Sequence, residues 1–377
     1  MQDFNMERTI AQKICCIFNF GSSYRTAIFK LMDQELGCDF YFGDNLPNNV
    51  KEMDYSLLVG FRKKIKNIWL FRDLYWQKGS IGILFKPYKH IIMEGEPRCL
   101  SSWIILILAK VMGKKTYPWT HGWYGRESKP RKILKKWFFS LSHHIFLYGD
   151  YARELMIKEG VSADKLSCIY NSLDYDNQVA IRNGLKSTTI YSDHFKNNYH
   201  NLVFIGRLTE EKRFDLLLIA LSILKEKGRS FNLTFIGDGD KKEELIEMAK
   251  DFGLKDHVWF FGASYDENKN SEFLYNADLC VSPGNIGLTA MHSLVFGTPV
   301  ITHNNFPYQG PEFESVEDGV TGSFFEFENV DSLAESIVNW FDKLSDREMV
   351  RKKCYEVIDS RYNPHYQIEV LKKIVHD

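Results

Sequence analysis

Short apolar runs alternate along this chain with longer stretches whose apolar residues recur at three-and-four spacing, the pattern of buried strands followed by amphipathic helices. Residues 14–20, 90–93, 115–119, 145–148 and 166–170 read as strands, most of them running into turn residues. Ala27, Ile28 and Leu31, residues 100–112 and residues 150–159 read as helices between them. Residues 100–112 are very apolar, but Lys110 interrupts them and they fall short of the roughly 20 residues of a membrane span. Residues 126–139 set six basic side chains beside Trp137, Phe138 and Phe139; this basic amphipathic helix fits either an anionic membrane surface or an ordinary solvated face. Residues 178–201 are polar with little periodicity and read as a linker. The pattern restarts with strands at 202–205, 231–236, 258–261, 279–282 and 299–302. Helices are expected at 242–252, through Leu216, Leu217, Ala220, Leu221 and Leu224, and from Ile286 to a stop at Gly297. Strand and helix in alternation predict an α/β protein with parallel sheets.

At 377 residues, two domains are the expectation. An apolar fraction of 44% and a charged fraction of 26% describe a globular chain. The net charge of -1 hides an asymmetry: residues 1–200 hold 29 Lys and Arg against 19 Asp and Glu, leaving 19 against 30 for the rest. With no recognition motif and no overall basic balance, nucleic acid is not an expected partner. The seven cysteines are scattered, without CxxC pairs or zinc-type histidine spacing, as in a reduced cytosolic protein. Residues 1–13 lack the apolar core of a signal peptide. The expected location is the cytoplasm, with peripheral attachment to the inner face of the plasma membrane as an option.

The chemistry centres on residues 278–304. A strand there turns through Pro283, Gly284 and Asn285 into a helix, so that Gly284 and Gly287 bare backbone amides where a phosphate can sit. Earlier, Gly206 lets a turn pass close to a ligand, while Arg207 and Lys212 supply cationic donors that match a pyrophosphate. Cations at a helix start oppose its dipole, which favours a ligand role over simple solvation. His121 follows a strand end, where open parallel sheets place ligands, as does the turn at Gly21 and Ser22. Asp238 with Asp240 and Asp174 with Asp176 are acidic pairs of metal-site type.

The strings IGRLTEEKRFD, FIGDGDKKEEL, NADLCVSP, GLTAMHSLVFGTPVI and EDGVTGSFFEFENVDSLAESI resemble the carboxy-terminal domain of the retaining glycosyltransferases of family 4. The likeness covers most of residues 200–340. Upstream it is fainter: CIYNSLDYD is similar to the family's interdomain segment and THG to its histidine loop. The resemblance implies a GT-B fold, two Rossmann-like domains with parallel sheets facing across a cleft. Residues 1–177 would bind the acceptor, 178–200 link, 201–358 bind the nucleotide sugar and 359–377 return to the first domain.

It also implies roles. Gly206, Arg207 and Lys212 match the residues that hold the donor diphosphate, and His121 the histidine near the transferred sugar. Asn285, Ile286, Gly287, Leu288 and Thr289 would form the loop around sugar and phosphate, with Glu314, or Glu312 two residues before it, matching the family glutamate. Gly239 and Phe261 fall near the base; Gly21, Ser22, Trp123 and Tyr124 fall on the acceptor side. The family's two glutamates, seven residues between them, fall on Gly284 and His292. His292 still offers an acceptor nitrogen to a ribose, and Gly284 only a backbone amide. The implied reaction needs no metal and no cofactor beyond a nucleoside-diphosphate sugar, UDP or GDP form, with a glycan or lipid-linked saccharide as acceptor. Asp238 and Asp240 lie where the family has a glycine-rich turn, which argues against a metal there. A sugar-nucleotide epimerase and a catalytically silent nucleotide- or partner-binding relative are the alternatives.

Overall fold

The structure is a computed structural model and describes residues 14–45, 50–71, 73–343 and 346–376. The amino-terminal stretch read for a signal peptide lies outside them. The chain divides into two compact units: the first ends at Asp174 and resumes at Asn363, and the second is Tyr175–Tyr362.

The first unit is built on β1 (Ile14–Phe18), β2 (Asp39–Gly43), β3 (Phe61–Trp69), β4 (Tyr75–Lys78), β5 (His90–Glu94), β6 (Lys115–Thr120), β7 (Ile145–Leu147) and β8 (Leu166–Cys168). They lie in the order β4-β3-β2-β1-β5-β6-β7-β8, parallel except for the antiparallel β3–β4 pair. α1 (Thr26–Leu36), α2 (Leu100–Val111), α3 (Lys129–Ser140) and α4 (Asp150–Lys158) connect strands. Alternate side chains of β1 enter two different clusters. Ile14, Cys16 and Phe18 pack with Ile28 and Met32 of α1, while Cys15 and Ile17 pack with Ile105 of α2 and Phe138 of α3. A strand buried on both faces has no polar side, which is why ICCIF reads as one continuous apolar run.

The second unit holds α5 (Tyr175–Arg182), α6 (Ile190–Phe195), β9 (His200–Ile205), α7 (Phe214–Glu226), β10 (Phe231–Ile236), α8 (Lys242–Asp251), β11 (Val258–Phe260), α9 (Glu267–Asn276), β12 (Leu279–Ser282), α10 (Thr289–Val295), β13 (Val300–His303), β14 (Gly322–Phe325), α11 (Val330–Lys343) and α12 (Arg347–Arg361). Its six strands run parallel in the order β11-β10-β9-β12-β13-β14. α13 (Pro364–His376) belongs to the first unit, where Ile368, Leu371 and Val375 join the cluster of α1.

Two expectations need correction. The stretch read as a linker carries the end of α5 and all of α6 and is built into the second unit: Tyr191 is buried with its hydroxyl donating to the Phe273 carbonyl at 2.9 Å. Buried Gln178 donates to Glu267 at 2.7 Å. Hydrogen bonds rather than an apolar stripe anchor it, so no periodicity betrays it. β3 and β4 were not anticipated, because in FRKKIKNIW only Ile65 and Asn67 are buried.

Candidate functional site

In each sheet the order of strands reverses beside the first strand of the unit, between β1 and β5 and between β9 and β12. A crevice opens at such a point, outside the carboxyl ends of the strands.

In the second unit the loops after β9 and β12 are joined at that point. The Gly284 amide donates to the Lys212 carbonyl at 2.9 Å, and the Lys212 ammonium donates to the Asn285 carbonyl. The approach is so close that a methyl on Gly284 would stand 1.9 Å from the Glu211 carbonyl oxygen. The position expected to have lost a carboxylate therefore has no room for one: the Glu211–Lys212 backbone occupies its place. The Gly284 amide, expected to serve the donor, is already engaged by Lys212.

Gln309, buried, accepts from the Ile286 amide at 2.9 Å and donates to Thr302 and to the His303 carbonyl. The Asn285 side chain accepts from the Gly310 amide at 3.2 Å, and Thr289 donates to the Ile205 carbonyl at 2.8 Å, tying the loop to the strand before Gly206. Ile286 is fully buried, so only its backbone faces the loop. Gly239 lies against Leu208, whose carbonyl oxygen would be 2.2 Å from an added methyl; there too the backbone forms the wall. Leu288 and Phe261 are half-buried, and Phe261 packs on Phe273. α10 begins only at Thr289 and has seven residues, so the site draws on individual amides, not on a long helix dipole.

Arg207 and Lys212 are close enough for the charge of one to act on the other. Arg207 is exposed and makes no ion pair among the described residues. Lys212 is mostly buried; desolvation lowers its pKa, and the Arg207 charge adds to this while Glu211 and Glu312 oppose it. Of the two glutamates left open, the structure brings Glu312 to this loop: it is buried, its Oε2 lies 2.7 Å from where a methyl on Gly310 would be, and its charge acts on Lys212. Glu314 is half-buried in the same turn.

His292 has a partner that the sequence did not reveal. Its Nε2 lies 3.0 Å from Glu267 Oε1, at the start of α9. Burial raises the Glu267 pKa, but hydrogen bonds from His292 and Gln178 outweigh it and the net shift is downward. A carboxylate in a first helical turn is ordinarily a partner of the helix dipole, so no spacing marked it. Asp238 accepts from the Gly239 amide at 2.8 Å and meets Lys242 at 3.5 Å, serving its own turn.

In the first unit, Arg25 is buried over the Trp119 ring at 4.3 Å and stands 3.9 Å from Glu94, the last residue of β5. Burial pushes the Glu94 pKa up to about 7 against the pull of Arg25. Neither residue was anticipated; an acid ending a strand beside the order reversal was the available signal. The His121 ring lies 4.6 Å from that of Tyr148 and 5.8 Å from that of Tyr124. It presents surface to water, yet crowding by protein atoms and the Arg25 charge push its pKa down to about 4.

The His121 loop is braced: Glu127 accepts from the amides of Tyr124 and Gly125, and Lys135 donates to the Gly122 carbonyl at 2.8 Å and to Glu127 at 2.7 Å. Trp123, expected on the acceptor side, is buried against Phe139 and is a core residue. Gly21 and Ser22 are also buried, Gly21 beneath the Tyr55 ring with its carbonyl accepting from the Met53 amide at 2.8 Å. Tyr124 stays half-buried.

Residues 188–357 match the family model of glycosyl transferases group 1. They contain every donor-side residue named above. A protein of the Klebsiella pneumoniae cps region, described as an uncharacterized 41.2 kDa protein, is 24% identical over 190 residues, 49% of this chain and 48% of its own length. The amylovoran biosynthesis glycosyltransferase AmsK of Erwinia amylovora is 25% identical over 185 residues, 46% and 44% of the two chains. This chain thus spans about half the length of the curated relatives it matches. Among solved structures, Anabaena Alr3699/HepE in complex with UDP superposes with a TM-score of 0.71 at 14% identity, covering 97% of this chain and 100% of that one. The pneumococcal O-GlcNAc transferase GtfA in complex with UDP and GlcNAc gives 0.64 at 12% identity, covering 97% and 100%. The fold is GT-B, with two Rossmann-like domains.

Proposed function

We propose that this chain is a retaining glycosyltransferase of the family 4 type, moving a hexose or deoxyhexose from a nucleoside-diphosphate sugar to a glycan or lipid-linked saccharide in bacterial surface polysaccharide synthesis. The observation that carries this reading is the cationic pair at the β9–β12 order reversal: Arg207 without an ion-pair partner among the described residues, and Lys212 fixed on the Asn285 carbonyl. Breaking the bond to the anomeric carbon leaves negative charge on the departing diphosphate, and preplaced cations lower that barrier. The same two charges do the work a metal would otherwise do, so the reaction is read as metal-independent. His121, neutral at pH 7, is assigned to a sugar hydroxyl as a hydrogen-bonding partner, not as an acid. His292 with Glu267 is assigned to the nucleotide ribose. UDP is the first nucleotide to test, since HepE and GtfA were solved with it.

The test is calorimetric titration with UDP, GDP, ADP and TDP, with and without EDTA, followed by nucleotide release from the matching sugar donors. Binding of one nucleotide that survives EDTA, weakened by about 1.5–3 kcal/mol in Arg207→Ala, is expected for a lost charged hydrogen bond. No binding of any nucleotide sinks the reading. Engagement of the Gly284 amide within the protein favours one alternative, the silent relative, which binds the nucleotide and shows no turnover with any acceptor.

A further inference from the structure

The first unit has a cavity of about 530 Å³ at the amino-terminal ends of β6, β7 and β8, the sheet edge opposite His121. Its walls join the ends of α2 and α3, through Lys110 and Ser140, to Lys115 at the start of β6 and Lys165 just before β8. Lys114 also lines it but is committed to the carbonyls of Lys86 and Tyr88, at 2.8 Å each. Lys110, Lys115 and Lys165 form no ion pair or hydrogen bond through their ammonium groups among the described residues. One carboxylate, Asp164, faces these cations, and it also accepts from Ser162. His143 on the wall registers the field: its pKa is lowered by desolvation and then by Lys115 and Lys165. The hydroxyl of Ser142, another wall residue, is buried without a partner.

Around this recess stand large apolar side chains. Val111, next to Lys110, is 80% exposed; Trp137, one turn before Ser140, is 68% exposed; Phe85, beside the Lys86 carbonyl that holds Lys114, is 72% exposed. Ile107, Ile133 and Leu134 extend the apolar surface along the two helices. The cations anticipated on α3 are partly spent elsewhere, Lys132 on Glu159 and Lys135 on Glu127. Lys110, Lys115 and Lys165 leave unneutralised charge in the recess, next to chain segments that carry exposed hydrocarbon.

A soluble anion would satisfy the lysines and leave Val111, Trp137 and Phe85 in water. An apolar protein surface would do the reverse. The combination fits an interface in which phosphate lies above hydrocarbon. We propose that this face docks the chain on an anionic phospholipid bilayer, with a lipid phosphate in the cavity and Phe85, Val111 and Trp137 in the interface. The proposal rests on the lipid-linked acceptor reading for its purpose, while lipid binding itself is measured without turnover.

The test is co-sedimentation of the full chain with vesicles of equal phosphatidylglycerol and phosphatidylcholine, and with phosphatidylcholine alone, with UDP binding measured on the same preparations. Binding to the mixed vesicles only is expected. Lys110→Ala and Lys165→Ala should each weaken it roughly fivefold, as expected for one lysine at an anionic surface. Val111→Ser with Trp137→Ser should weaken it by a similar or larger factor, whereas Lys227→Ala and Lys352→Ala on the second unit should not. Absence of vesicle binding, equal losses from the second-unit variants, or binding of inorganic phosphate alone would each overturn the proposal. If vesicle binding fails while UDP still binds, the docking face falls and the transferase reading stands; if vesicles bind and no nucleotide does, the docking face stands and the transferase reading falls.

Discussion

Gly284→Ala should cost both stability and nucleotide affinity. The added carbon would stand 1.9 Å from the Glu211 carbonyl oxygen and 2.7 and 2.8 Å from Lys212 Cα and C, where ordinary contact begins at 3.4 Å. The two loops must therefore part by about 1.5 Å. Parting breaks the 2.9 Å bond from the Gly284 amide to the Lys212 carbonyl. Losing that bond with its buried groups unmet costs about 1–3 kcal/mol, and overpacking adds about 1–3 kcal/mol, for a total of roughly 2–6 kcal/mol. The same shift carries the Lys212 ammonium off the Asn285 carbonyl, so nucleotide binding should weaken about tenfold, the equivalent of about 1.4 kcal/mol. Urea unfolding followed by circular dichroism reads the first quantity and UDP titration the second. An alanine variant within about 0.5 kcal/mol of the parent, a surface-like change, with an unchanged dissociation constant would refute the reasoning. Gly284→Glu separates the two accounts of this position more sharply: a gain in affinity would mean a dispensable glycine in place of a useful carboxylate, and the contacts require a further loss.

Three other outcomes are expected. Proton NMR should show the His121 ring titrating near pH 4, so that any change in rate around pH 6.5 belongs to another group; a midpoint near 6.5 would show that the ring is not desolvated. Glu267→Gln should destabilise by about 1.5–3 kcal/mol at pH 7, the worth of a charged hydrogen bond. Because the Glu267 pKa is depressed on folding, that contribution is present above about pH 4.5, the unfolded value, and fades as pH falls through the folded one; a difference that persists unchanged at pH 3 contradicts it. Glu94 has the opposite sign: its pKa is raised to about 7, so its stabilising contribution is complete below about pH 4.5 and is lost as pH rises through 7. Unfolding midpoints of Glu94→Gln should therefore decline less over that range than those of the parent, and parallel profiles would dismiss the shift.

Much of the second unit was legible because β10, β12 and β13 are buried along their whole length and most of its strands end in glycine turns. FNLTFI and LCVS have no exposed residue, so their apolar runs stand out directly. β3 was hidden by the reverse circumstance. Its inward side chains include Asn67, whose amide reaches the carbonyls of Asn19 and Asn45, a polar core that no hydropathy pattern marks. Trp123 was misplaced because a loop has no periodicity to separate inward from outward. Arg207 and Lys212 were visible through their turn chemistry and the resemblance. Glu267, 25 positions from His292, became visible only when the fold brought the two together.

The placement of α13 has a consequence for the order in which this molecule is made. Ile368, Leu371 and Val375 share a cluster with Ile28 and Met32, and Gln367 binds the Tyr170 carbonyl and Ser172. The first unit therefore cannot close its core while only its own first 174 residues have left the ribosome. The whole of Tyr175–Tyr362 is synthesised in the meantime, and it has its own apolar cluster. The domain begun second is thus the one able to finish folding first, and a nascent chain halted before Ile368 should hold a completed second unit beside an open first one.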